Sequence, residues 1–265
     1  QILSGELADA DGNGVPDICE LITVDDDGSA DFTTLQAAVD ASSDGDTILV
    51  LPGTYSGSGG QVVRLNGKNI VITSSEGSGT TIIDGQNTRR GIVVANSETD
   101  VTIEGFTVTN CTTGGGGGGV LVGESASPTF RNLIITDNSA GADGAGVNAG
   151  GAGTVRFEQC DILNNSAQGG NGGGIASNNS ALELINCNVS NNSSWDLAGG
   201  ICNGPASSLV ILNSTLQNNI GGLWPTGGGA GAIAVIGGSS IEMTDCDLLN
   251  NESQDGGGGG ALYVE

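Results

Sequence analysis

The sequence predicts an all-β fold: a right-handed parallel β-helix, a solenoid with three strands per ~27-residue rung and a short N-terminal cap helix. Three observations predict it. An Asn-rich segment recurs at Asn138, Asn165, Asn192 and Asn219, 27 residues apart, with Cys111 leading by 27 and Asn251 trailing by 32. Within each unit, apolar residues alternate with polar ones, which is the period of a strand and not of a helix. Finally, the 49 glycines of the 265 residues cluster between the repeats and lack the three-residue period of collagen.

Aligned on that repeat, the apolar positions form columns. The first strand contributes Val101, Pro128, Val155, Leu182, Leu209 and Ile241, then Ile103, Phe130, Phe157, Leu184, Ile211 and Met243. After a bend come Phe106, Leu133, Cys160, Cys187, Ser214 and Cys246, then Val108, Ile135, Ile162, Val189, Leu216 and Leu248. A third strand carries Val120, Val147, Ile175, Ile201, Ile233 and Leu262. The Gly clusters precede this strand, where they allow turns and close backbone approach. The Asn column is expected to form an internal ladder of amides at one corner, a structural role.

Two parts are expected ahead of and within the solenoid. Residues 24–265 form the β-helix, and 31–41 read as its cap helix. In that helix Thr33 and Gln36 make a capping box, and Phe32, Leu35 and Val39 form one apolar face. Such a lid covers the first rung, whose core and strand edge would otherwise lie open. Residues 1–23 form an entry segment in which Asp9, Asp11, Asn13, Asp17 and Glu20 match every position of a D-x-[DN]-x-[DN]-G-x5-E loop. Those side chains and the Val15 carbonyl are hard oxygen donors, and Gly14 permits the sharp turn, so Ca²⁺ is the expected ligand. The acidic run from Asp25 to Asp31 lacks the closing Glu and reads as a cap turn.

Charge and residue content exclude several functions. Six Lys+Arg against 30 Asp+Glu give a net charge of −24. That charge repels phosphate backbones and anionic lipid, so nucleic acid is not an expected partner. No His is present, which removes Ser-His-Asp chemistry and His-ligated zinc. No apolar run is long enough for a transmembrane helix. Cys160 and Cys187 fall one rung apart in one inward column, where parallel Cβ vectors ~4.8 Å apart are too wide for a disulfide, so free thiols are expected.

The stretch "DFTTLQAAVDASSDGDTILVLPGTY" (Asp31 to Tyr55) resembles the start of pectate-lyase-like right-handed β-helix proteins. Repeats such as "NNSAQGGNGGGI" (Asn164 to Ile175) resemble polymorphic-outer-membrane-protein-like and bacterial surface members of that superfamily. The entry loop resembles the calcium loops of thrombospondin type 3 repeats and dockerin-like linkers. The resemblance implies a secreted, extracellular or cell-surface protein. Lyases of that superfamily hold calcium on acidic residues and use Lys or Arg beside a uronate. The six cations here, Arg64, Lys68, Arg89, Arg90, Arg131 and Arg156, do not gather into such a site. By register, Arg131 stacks beneath Glu158 and Arg156 beneath Glu183 as cross-rung ion pairs, while Arg89-Arg90 follows Asp84-Gly85 in a turn. No catalytic or cofactor-binding residue is assigned.

The expected function is a noncatalytic surface, matrix or filament module stabilised by calcium. The alternative is a carbohydrate-active (polysaccharide lyase-like) or carbohydrate-binding β-helix. The segment from Gly256 to Glu265 reads as the third strand of a rung without a cap, which leaves two readings: later residues of a longer protein continue or cap the helix, or copies self-associate head to tail, the slightly favoured expectation.

Overall fold

The computed structural model describes residues 21–222, 229–254 and 259–265. Within them the chain is a right-handed parallel β-solenoid of about 9 turns with one short helix. Every described strand pairing is parallel and joins one rung to the next. The first sheet runs from Leu21–Val24 through Thr47–Val50 and Val71–Ser74 to Ser240–Thr244, nine strands in chain order. The second, eight-stranded, runs from Gly53–Tyr55 to Asp247–Leu249, and the third, also eight-stranded, from Gln61–Arg64 to Leu262–Val264.

The predicted columns pair as expected. Phe130 aligns with Ile103 and Phe157, Ile135 with Val108 and Ile162, and Val147 with Val120 and Ile175. In-register stacking places like side chains face to face, so Phe130 and Phe157 stack with ring centroids 5.0 Å apart. All these residues are fully buried. The extra residues of the 32-residue interval fall between Gly221 and Ala230, since Ser194 precedes Gly221 by 27 whereas Ala198 pairs with Ala230.

The structure adds a fourth sheet of two-residue strands, Thr112–Thr113, Ser139–Ala140, Ser166–Ala167, Ser193–Ser194, Ile220–Gly221 and Glu252–Ser253. Each follows the Asn corner directly. The corner is the ladder that the repeats imply. Asn165 Nδ2 donates to Asn192 Oδ1 at 3.0 Å and to the Ile135 carbonyl at 2.9 Å. Its own Oδ1 accepts from Asn138 Nδ2 at 3.0 Å and from the Asn138 backbone N–H at 3.1 Å. Asn192 and Asn219 repeat the pattern, Asn138 Oδ1 at the start accepts only from the Cys111 backbone N–H at 2.9 Å, and Asn251 closes the ladder at 2.9 Å from Asn219. Each interior amide thus fills two donor and two acceptor positions in the dry interior.

Among the described residues the glycine runs are not loose loops. They lie over the outer side of the third sheet and bond rung to rung, as in Gly119 N–H to Ala145 O at 3.0 Å and Gly146 N–H to Gly173 O at 3.1 Å. A Cβ at Gly144 would come within 2.1 Å of the Val147 carbonyl, and its φ of +66° already lies in the left-handed region. Cys202 points outward from its strand, yet Ala198 and Ala230 of this layer, with its strand neighbour Ala234, bury it.

The cap helix, α1, spans Leu35–Ala41, shorter than the expected 31–41. Its N-cap is Thr34, whose Oγ1 accepts from Ala37 N–H at 3.3 Å, and not Thr33. The reason lies upstream. Phe32 is still extended there, bridged to Val24 and bonded to Thr23 O at 3.1 Å, so helical turns cannot begin until that bridge ends. Leu35, Ala38 and Val39 bury the inner face as a lid on the first rung.

Asn165→Ala removes both the donor and the acceptor that its neighbours on either rung need. We expect it to lower unfolding stability by about 2–4 kcal/mol, against less than about 0.5 kcal/mol for Ser166→Ala on the solvent side, measured by denaturant titration followed by circular dichroism. Equal, small losses would show that the ladder contributes little.

Candidate functional site

All six cationic side chains lie in the described part of the chain, and each has a structural partner. Lys68 Nζ donates to the carbonyls of Val39, Asp40 and Ser42 at 2.6, 2.8 and 2.6 Å, closing the C-terminal end of α1. Arg64 Nη2 donates to Asn96 Oδ1 at 3.2 Å. Arg89 Nη1 donates to the Gly57 carbonyl and to Gln86 Oε1, and Arg90 reaches the Gly116 carbonyl through Nε and Nη2 at 3.2 Å. Arg131 meets Glu158 at 2.8 Å, and Arg156 meets Glu158 at 2.8 Å and Glu183 at 3.5 Å. The hydrogen bond from Arg131 holds the Glu158 carboxyl below its ordinary range. The structure therefore scatters these groups along the wall and assembles no basic centre from them.

The expected calcium ligands Asp9, Asp11, Asn13, Val15, Asp17 and Glu20 lie outside the described residues, as does Cys19. The second acidic run is described, and it is a turn. Asp25 accepts from the Ser29 hydroxyl and from Asp27 N–H, and Asp31 accepts from Thr23 N–H at 2.9 Å. Asp26 Oδ2 accepts from Thr54 N–H at 2.8 Å, tying the turn to the second sheet. The Ser29 hydroxyl holds Asp25 below its usual pKa, and the Thr23 hydroxyl does the same for Asp31.

Five thiols are described and all are free, Cys160 and Cys187 among them. Burial pushes Cys111 and Cys202 up to about 12. Cys187 as hydrogen-bond partner, with burial, raises Cys160 as well. A thiol held in its neutral form is a packing group and not a nucleophile.

Among the described residues there is also a concave surface of which the repeats gave no hint. It is a groove between α1 and the loop from Thr54 to Gln61. One part, of about 360 Å³, is lined by Asp26, Thr33, Thr54, Tyr55 and Ser56; it continues past Thr34, Gly57 and Val62 into a part of about 300 Å³ lined by Gln36, Asp40, Ser58, Gln61, Arg64 and Asn66. Leu35, Tyr55 and Val62 are buried side chains along its floor. Burial pushes the Tyr55 phenol up to about 12, and its hydroxyl lies 2.7 Å from Leu51 O and 3.2 Å from Val24 O. Gln36 fixes one wall, accepting from Arg64 N–H at 2.8 Å and donating to Arg64 O at 3.1 Å. A groove was not legible in advance because it arises where a non-repeating helix meets an irregular loop.

A family described as "Right handed beta helix region" matches residues 63–235. The chain belongs to this right-handed β-helix family. Among solved structures it is similar to a pectate lyase, Pel9A, at 16% identity and TM-score 0.46 over 80% of this chain and 72% of that one. It is similar to a rhamnogalacturonan lyase at 16% identity and TM-score 0.46 over 90% and 74% of the two chains. A pectin methylesterase from carrot follows at 16% identity and TM-score 0.40, over 92% and 88%. No curated protein matches. Within this β-helix no described helix is long and apolar enough to cross a membrane.

The buried thiols set a pH dependence. In the unfolded chain a Cys ionises near pH 8.5, whereas Cys111 and Cys202 stay neutral up to about 12 when folded. Above the unfolded value the native state holds the extra protons, so their contribution to stability is complete at lower pH and is lost as pH rises from there towards 12. The thermal midpoint should be level between neutrality and the unfolded thiol pKa and fall above it, more shallowly in Cys202→Ala. An aromatic-disulfide reagent should find the buried thiols Cys111, Cys160, Cys187 and Cys202 inert in the native protein and free after unfolding without reductant. A peptide linked through Cys160 and Cys187 would refute the column geometry.

Proposed function

We propose that this β-helix is a noncatalytic, secreted module of a cell surface or extracellular matrix, entered through a calcium loop at residues 1–23. The observation that carries this reading is the use of every cation. Uronate chemistry needs a Lys or Arg free to meet an anionic substrate. Here Lys68, Arg89 and Arg90 hold backbone carbonyls, Arg64 holds Asn96, and Arg131 and Arg156 hold carboxylates. A net charge of −24 further disfavours an acidic polysaccharide unless a divalent cation intervenes. The carbohydrate-binding alternative keeps one specific observation in its favour, the polar groove beside α1. The solved structures to which the chain is similar are named as a pectate lyase, a rhamnogalacturonan lyase and a pectin methylesterase, and their low identity leaves their activities with them.

Incubation with polygalacturonate, methylated pectin and rhamnogalacturonan in the presence of calcium should release neither unsaturated uronate nor methanol. Products that disappear in Arg89→Ala or Arg90→Ala would overturn the noncatalytic reading. Calorimetry should show one calcium bound through Asp9, Asp11, Asn13, Asp17, Glu20 and the Val15 carbonyl, with the heat lost in Asp11→Ala. Light scattering over the same calcium series reads out head-to-tail self-association.

A further inference from the structure

We propose that Cys160 and Cys187 form a two-coordinate site for a monovalent soft metal ion, of the copper(I) class, between two adjacent rungs of the solenoid. The site lies in the β-helix core and goes beyond the noncatalytic reading above, on which it does not depend.

The geometry comes from register. Glu158 aligns with Ile185 and Asp161 with Asn188, so Cys160 and Cys187 stand one above the other at the bend. Their sulfurs take equivalent positions. Cys160 Sγ lies 3.3 Å from Glu158 O and 3.5 Å from Phe130 O, and Cys187 Sγ lies 3.4 Å from Ile185 O and 3.5 Å from Phe157 O. Equivalent side chains on successive rungs repeat at the strand spacing, ~4.8 Å. That separation is wide for the Cβ atoms of a disulfide and suits a metal bridge. A thiolate sulfur sits ~2.3 Å from an ion such as zinc, so a linear sulfur–metal–sulfur unit spans ~4.6 Å.

Sulfur is not what this column needs for packing. One rung on, the equivalent residue is Ser214, whose Oγ accepts from Cys187 N–H at 2.9 Å and donates to Leu212 O at 2.8 Å. A hydroxyl therefore fits the space and serves the backbone. One rung before Cys160, the buried Leu133 fills the same position. Two consecutive thiols answer neither demand better than these neighbours do. No other described thiols are so placed: Cys111 begins the Asn corner, Cys202 faces outward from the third sheet, and Ser214 separates Cys246 from Cys187.

Coordination number and charge then narrow the ion. Among the described residues no group of three or more His, Cys, Asp or Glu gathers to hold a metal. Four-ligand zinc and oxygen-seeking calcium are therefore poorly served. A monovalent ion with a filled d shell is content with two sulfurs, and soft thiolates select Cu(I). Both cysteines are buried, where uncompensated charge is costly, and one thiolate with one monovalent cation is neutral. The pair is already divided in that sense: the Cys160 thiol, as hydrogen-bond partner, holds Cys187 below its ordinary pKa, while Cys160 itself is raised. On binding, Cys187 releases its proton to solvent and forms the sulfur–metal bond. Cys160 keeps its proton and adds a sulfur lone pair, and no oxidation state changes.

The test uses the full chain carrying Cys19→Ser and Cys246→Ser, which removes one thiol outside the described residues and the one described thiol that is only partly buried. The reduced protein is titrated with Ag⁺, and with Cu⁺ under anaerobic conditions. Native mass spectrometry should count one ion per chain, with a sulfur-to-metal absorption band in the near ultraviolet. The thermal midpoint should rise, because the ion binds the folded pair. Cys160→Ser and Cys187→Ser follow the pattern of Ser214, so both should keep the parent's circular dichroism and weaken uptake at least about tenfold; Cys187→Ala is the second replacement at that position. Cys111→Ala and Cys202→Ala should bind as the parent does. Failure to take up either ion would overturn the proposal. So would uptake undiminished in the Cys160 and Cys187 variants, tighter binding of Zn²⁺, or a midpoint lowered by the ion, which marks binding to the unfolded chain.

Discussion

The Asn ladder is the constraint on which the rest of the structure depends. A parallel solenoid must turn a corner inside its own core, and a turning backbone leaves N–H and C=O groups that no strand pairing satisfies. Here each Asn supplies the missing partners from one rung to the next: Asn192 Nδ2 meets both Asn219 Oδ1 and the Ile162 carbonyl, while its Oδ1 receives Asn165. Because the amide fills all its positions only when its neighbour is the same residue at the same position, the ladder holds an identical bend in the successive rungs from Asn138 to Asn251. Each residue just before it, among them Asp137, Asn164, Asn191, Asn218 and Asn250, adopts a positive φ near +55°. Asn and Asp tolerate that conformation better than other side chains. The uniform bend in turn brings the two-residue strands after it into register.

Once the corner is uniform, glycine follows from it. The backbone that leaves the two-residue strands doubles back over the third sheet, close enough for a Cβ at Gly119, Gly146 or Gly174 to press on the next rung's carbonyl at 2.7, 2.6 and 2.7 Å. A Cβ at the same three positions would also stand only 3.0, 2.9 and 3.1 Å from the Nδ2 of Asn138, Asn165 and Asn192. The ladder and the glycine layer are therefore one device, and a larger side chain in the layer would displace the amide beneath it.

What the sequence revealed follows the same division. The period, the columns from Val101 to Leu262, the Asn ladder and the ion pairs of Arg131 and Arg156 were legible, because each recurs and recurrence carries its own register. The fourth sheet was not, since two residues such as Ser166–Ala167 are too short to show alternation. The burial of Cys202 depends on Ala230, 28 residues later and beyond a longer rung, which no local pattern signals. The N-cap at Thr34 and the groove belong to the one part of the described chain that does not repeat. There, Phe32 held in a bridge and Gln36 turned onto Arg64 decide the geometry singly.

Repetition also creates an ambiguity that the charged residues resolve. Aliphatic columns and an Asn column are nearly indifferent to which rung lies next, so a chain that skipped a rung would still bury Ile against Ile and pair Asn with Asn. The outer face of the first sheet is not indifferent. Glu104, Arg131 and Glu158 follow one another in one column, and Thr129, Arg156 and Glu183 in the next. Skipping a rung would set Glu104 beside Glu158 and remove both partners of Arg131. With side chains 27–43% exposed, these pairs add little to stability. Their effect is discrimination: like charges opposed across adjacent strands are unfavourable, so the wrong stacking is penalised while the right one is merely neutralised. In a chain with 30 acidic groups and six basic ones, placing two of the six on this face gives rung order to a core that cannot specify it.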